Sequence, residues 1–165
     1  MADMFNVTKS GVLKSYKGKR NTVIIPDGVK KIGSWAFSDC VNLDSITIPD
    51  SVTSIGEGAF RGCTNLTGIT IPGSVTEIGE SAFYDCTRLE RVTILNGKGI
   101  SIKDSAFEDC KNLKTIEFPE KIKNIEETAF RGCLALADVN GNIIVKDTLC
   151  GHCGENAQVS VNGEG

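Results

Sequence analysis

The sequence predicts a repeat solenoid of the α/β type, made of 23-residue units with short strands and short helical or 3₁₀ turns and flanked by hairpin-like caps. Three observations predict it. The string Trp35-Ala36-Phe37-Ser38-Asp39-Cys40 returns around Phe60, Phe83, Phe107 and Phe130, so the phenylalanines step by 23, 23, 24 and 23 residues. Five cysteines (Cys40, Cys63, Cys86, Cys110, Cys133) keep the same steps, and a leucine follows each three residues later. Pro26, Pro49, Pro72 and Pro119 hold a further column, in which Leu95 stands once for proline.

One unit justifies each element. Ile46 and Ile48 alternate with polar neighbours, which marks a short strand with one buried face. Pro49 has no amide hydrogen and ends regular pairing, and Gly56 permits the bend after Ile55. Ala59-Phe60 predicts a single helical or 3₁₀ turn that points Phe60 and Cys63 inward together. Such a unit cannot bury its own apolar residues, so it stacks on copies of itself, with parallel strands about 4.8 Å apart and like residues in continuous columns. The fourth unit carries one extra residue within Ile94-Leu95-Asn96-Gly97-Lys98-Gly99-Ile100, where a small bulge is expected.

The repeat Ile-Pro-x-x-Val-x-x-Ile-Gly-x-x-Ala-Phe-x-x-Cys-x-x-Leu resembles the BspA-like, or Treponema pallidum-type, leucine-rich repeat family, from about Thr22 to Leu136. The resemblance implies a right-handed leucine-rich-repeat solenoid. It also implies a non-enzymatic protein-interaction or adhesion module of bacterial cell-surface type, binding a protein such as a host or matrix component. A cell-surface or secreted location follows from the same resemblance, although Met1-Ala2-Asp3-Met4-Phe5 does not open a leader of the usual pattern. The alternative is a structural spacer within a longer surface protein.

Three segments are expected: a strand-hairpin cap at 1–25, five repeat units at 26–136, and a C-terminal cap or partial repeat at 137–165. The two ends align at an offset of 136, placing Lys14-Ser15-Tyr16-Lys17 on Cys150-Gly151-His152-Cys153 as a turn. Residues 1–31 carry seven basic and two acidic residues, and residues 32–165 carry eleven basic and nineteen acidic ones. The basic end reads either as lysines solubilising a hairpin edge or as a contact for an acidic partner. The near balance of charge overall argues against a nucleic-acid partner, and no apolar run is long enough for membrane insertion.

Cys150-Gly151-His152-Cys153 spells the tetrad of protein disulfide isomerases, but that chemistry needs the tetrad to open a helix after a buried strand, whereas here it aligns with a turn. A thiol-disulfide oxidoreductase using Cys150 and Cys153 is therefore the weakest alternative. The cluster offers three zinc ligands where a structural site wants four, so no metal or other cofactor is expected. His152 is the sole imidazole, which leaves no Ser/His/Asp or Cys/His arrangement. The five repeat cysteines read as reduced core residues. Catalytic residues are accordingly none. The candidate partner site is the outward side of the strands: Ser45, Thr47, Thr70, Arg91, Thr93, Thr115 and Glu117. Three threonines at successive rungs also read simply as a favourable strand ladder, with Arg91 and Glu117 least explained by it.

Overall fold

A computed structural model describes residues 4–137 with their side chains, and the backbone of two further strands at Asn142–Val145 and Thr148–His152. The chain opens with β1 (Phe5–Val7) and β2 (Val12–Tyr16), an antiparallel hairpin. Five coils follow, each giving one strand to either of two walls. They are β3 (Thr22–Ile24) with β4 (Lys31–Ile32), β5 (Ser45–Thr47) with β6 (Ser54–Ile55), and β7 (Gly68–Ile71) with β8 (Glu77–Ile78). The fourth and fifth are β9 (Arg91–Ile94) with β10 (Ile100–Ile102) and β11 (Thr115–Glu117) with β12 (Ile122–Ile125). The strands at Asn142–Val145 and Thr148–His152, β13 and β14, form a second antiparallel hairpin.

One wall is continuous. It is a seven-stranded sheet in the order β1-β2-β4-β6-β8-β10-β12, parallel from β2 onward, in which Leu13, Ile32, Ile55, Ile78, Ile102 and Ile125 align from one strand to the next. The extra residue of the fourth coil lies in the connection between β9 and β10, since Ile94 pairs with Ile71 and Ser101 with Glu77 in unbroken register, so it makes no bulge against the third coil. A register shift does occur at Ile100/Ser101, where the additional residue belongs to β12 of the fifth coil. Gly97 meets the backbone of Gly73 so closely that a Cβ there would have no room.

The Ala-Phe segment is not a helical turn. In the first coil Ala36, Ser38 and Cys40 donate to carbonyls three residues back, while the N–H groups between them, on Trp35, Phe37 and Asp39, donate sideways to Glu57, Ala59 and Arg61 at 2.7–2.9 Å. Every second amide is thus claimed by the next coil, which excludes consecutive helical bonds. The alternation is made possible by left-handed residues, held by Trp35, Gly58, Ser81 and Ser105 in one column and by Asp39, Gly62, Asp85, Asp109 and Gly132 in another. Thr128 does not adopt that conformation, as befits a β-branched residue. The link to the fourth coil there is made by side chains, with Ser105 N–H donating to Thr128 Oγ1 and Asp104 N–H to Glu126 Oε2, both at 3.0 Å. A 3₁₀ helix proper occurs at Leu134–Leu136, and no α-helix is found among the described residues.

The core between the walls is columnar. Phe37, Phe60, Phe83, Phe107 and Phe130 are fully buried and stack with centroids 5.0–5.2 Å apart and planes within 8° of parallel. Tyr16 and Phe5 of the hairpin extend the column at 5.2 and 5.1 Å. Each such pair contributes about 0.5–1.5 kcal/mol beyond the area it buries. The cysteines Cys63, Cys86, Cys110 and Cys133 are buried, and each thiol donates to the carbonyl of the phenylalanine one coil earlier (Phe37, Phe60, Phe83, Phe107) at 3.0–3.2 Å. Cys40, in the first coil, is only half-buried, which departs from the expected uniform column.

Candidate functional site

The second wall carries the candidate residues. Its register puts Thr22 beside Ser45 and Ile24 beside Thr47, then Gly68, Arg91 and Thr115 in one row and Thr70, Thr93 and Glu117 in the other. The outward columns read from the repeat are therefore real alignments within each sheet. Ser45, Thr47, Thr70, Arg91, Thr115 and Glu117 are exposed and Thr93 is half-buried.

Arg91 and Glu117, the two members a threonine ladder does not explain, belong together. Arg91 Nη1 lies 3.8 Å from Glu117 Oε1, and Thr93 donates to Glu117 Oε2 at 3.3 Å. Both charged side chains are largely in solvent, so the pair adds at most about 1 kcal/mol to stability. At the other end of the wall Ser45 Oγ donates to Thr22 Oγ1 at 3.2 Å.

This wall is not one sheet. β3 pairs with β5, and β7, β9 and β11 form a separate three-stranded sheet, so the ladder stops between β5 and β7. A bond at that junction joins Thr67 N–H to Asp44 O at 3.3 Å. Gly68 stands at the break, where the absence of a side chain weakens strand pairing. A shallow groove of about 450 Å³ runs across β5, β7 and β9 and so includes the break, with Ile46, Ile48, Gly68, Ile69, Thr47, Thr70, Arg91 and Thr93 in its lining. Four of the seven candidate residues thus meet in one place, while Ser45, Thr115 and Glu117 lie outside its lining.

Two surface features escape a reading confined to the strand rows of the middle coils. Ile24 extends the Thr47 row toward the hairpin and is 69% exposed. Aligning Val23 with Ile46 would have found it. On the turn side, Arg61 lies over the rings of Trp35 (5.8 Å) and Tyr84 (4.9 Å), joining three coils. Arg61 and Tyr84 share the rank directly after the phenylalanine while Trp35 stands two residues before it, and the residue type changes along both columns, so no repeated letter signals the stack.

Three of the repeat thiols are held toward their protonated form. Burial, reinforced by the neighbouring Cys86 and Cys40, pushes the Cys63 thiol far above its ordinary range, and burial does the same to Cys110. Cys40 is raised by burial and then by the Asp39 carboxylate. The Cys-Gly-His-Cys tetrad is not in a turn: Cys150, Gly151 and His152 lie in β14, just as Lys14, Ser15 and Tyr16 lie in β2. Their side chains and Cys153 fall outside the described residues. A strand does not supply the helix dipole that lowers a catalytic thiol's pKa.

Parallel coils of 23 residues, with a leucine, an isoleucine pair and a phenylalanine at fixed rank, define a leucine-rich-repeat solenoid. The chain belongs to the BspA type leucine-rich repeat family, whose profile matches residues 14–137 in six copies, one more than the phenylalanine steps mark. Among solved structures it is similar to the T. pallidum leucine-rich repeat protein TpLRR, with 25% identity, TM-score 0.54, and 84% of this chain and 91% of that one covered. A leucine-rich repeat protein from Eubacterium ventriosum matches with 27% identity and TM-score 0.63, over 83% of this chain and 45% of that one. A leucine-rich cell surface protein from Faecalibacterium prausnitzii matches with 26% identity and TM-score 0.55, over 82% and 52%. The chain therefore spans about half the length of the last two. Among curated proteins nothing matches it.

Proposed function

We propose that the chain is a non-enzymatic protein-interaction module that binds its partner on the strand wall, around the break between β5 and β7. The observation that carries this reading is the coincidence of the groove with Thr47, Thr70, Arg91 and Thr93. Small exposed hydroxyl side chains and one charged pair along a shallow groove are what a protein segment recognises through a few polar anchors. Solenoids hold such a wall rigid, which lowers the entropy lost on binding. An adhesive role at a bacterial surface is supported by the likeness to the F. prausnitzii cell surface protein. The β1–β2 hairpin, within the expected 1–25 segment, acts as a cap, since it covers one edge of the continuous wall while β3 already belongs to the first coil.

The test is capture of binding partners by the wild-type chain and by Arg91→Glu and Glu117→Lys variants. Loss of the same captured protein in both variants supports the wall as the site, and unchanged capture removes it. The spacer reading is favoured by one observation, that the chain spans about half of two longer repeat proteins. A wild-type chain that retains no partner at all would select it.

A further inference from the structure

We propose that the Trp35–Arg61–Tyr84 stack on the turn side is a second contact surface, separate from the strand wall, that receives a Lys/Arg-rich protein segment. Trp35 is the only tryptophan, and 44% of it is exposed. It adopts φ 62°, a conformation its column otherwise gives to Gly58, Ser81 and Ser105 and one that bulky side chains rarely adopt. The ring rests on Gly58, where any Cβ would strike it, and the Arg61 guanidinium lies over it and over Tyr84. A ring kept merely to fill space would be buried. This one is held rigid in strained backbone with a large part of its surface in solvent. Trp, Arg and Tyr are also the residues that dominate binding energy at protein interfaces.

The charge around the stack selects the partner. Trp35 N–H bonds the main-chain carbonyl of Glu57, and Gly58 N–H that of Glu80, which stacks two exposed glutamates on the next two coils, one position before the column that Trp35 begins. Asp39, also exposed, donates its N–H to the Arg61 carbonyl on the other flank. Arg61 keeps its positive charge between the two rings, and the exposed Glu57, Glu80 and Asp39 outnumber it, so the surroundings of the stack are acidic on balance, as is residue range 32–165 as a whole, with nineteen acidic against eleven basic residues. A guanidinium or ammonium group from a partner can stack on the exposed ring while its neighbours pair with Glu57, Glu80 and Asp39.

Because Trp35 is the sole indole, its emission reports directly on the site. Hexaarginine titrated at low ionic strength should give a saturable change in Trp35 emission that weakens in high salt, with hexaglutamate giving none. By calorimetry, binding should weaken at least tenfold in Trp35→Gly, which installs the residue this column already accepts at Gly58. A Glu57→Lys/Glu80→Lys variant, altered only at exposed side chains, should weaken it equally. Arg91→Glu should leave hexaarginine binding unchanged, which separates this surface from the strand wall. Binding within twofold of wild type in Trp35→Gly, no response to hexaarginine, or a response to neutral cellohexaose in its place would overturn the proposal.

Discussion

The turn side and the strand wall are made from the same five repeats yet are held together differently. On the turn side, the first three coils each bond the next through three alternate amides, and the phenylalanines stack without interruption from Phe37 to Phe130. On the strand wall the ladder is cut between β5 and β7, and the outward residues change in size and charge from rung to rung. The contrast teaches that stacking is secured by the core column and turn amides. That leaves the strand wall free to carry a break that a structure dependent on it could not tolerate.

Removing a ring from the middle of the stack should break the contrast most severely. Phe83→Ala leaves a cavity between Phe60 and Phe107 and should destabilise the fold by about 3–5 kcal/mol. Thr70→Ala, on the strand wall, should change stability by no more than about 0.5 kcal/mol. Urea denaturation of both variants measures the difference, and equal losses would contradict a core-borne spine.

Alkaline pH should attack the same spine more gently. The Cys63 and Cys110 thiols are pushed by burial above their ordinary value of 9.0, so they stay protonated in the fold while the unfolded chain begins to ionise near 9. In that window the unfolded state binds fewer protons, and stability falls as pH rises. The contribution is complete below about pH 9 and is lost above it, by up to about 1.4 kcal/mol per pH unit for each thiol. Urea midpoints measured on either side of pH 9 should show the slope, and a Cys63→Ala variant should flatten it. An unaltered slope in that variant would place the alkaline loss elsewhere.

Filling the break should sharpen the comparison from the other side. At Gly68 an added Cβ meets only ordinary contact, with Arg91 O at 3.6 Å, so Gly68→Thr should raise stability by about 0.5–1 kcal/mol and extend pairing toward β5. Thermal melting reads the gain, and partner capture should fall if the open groove is the site. The smallest effect is expected from Arg91→Ala, whose exposed pair with Glu117 supports less than about 1 kcal/mol. Its melting temperature should stay near wild type while capture is lost, and a large drop in stability would make Arg91 a structural residue.

The repeat period determined from sequence alone that the chain stacks, which residues line the core, and which of Ser45, Thr47, Arg91 and Glu117 share a row. Each of these follows from side-chain type at fixed rank, and a rank repeated five times leaves one geometry that buries them all. The amide pattern of the Ala-Phe segment was not legible, because a 3₁₀ turn and alternating turns bury the same phenylalanine and cysteine. They differ only in whether Trp35, Phe37 and Asp39 find acceptors on a neighbouring coil. The break at Gly68 and the Arg61 stack likewise depend on contacts between coils, at positions where the repeat does not repeat. Sequence periodicity settled what every coil has in common. Tertiary structure alone decided where one coil differs from the next, because those differences arise from pairings across the stack that no single unit encodes.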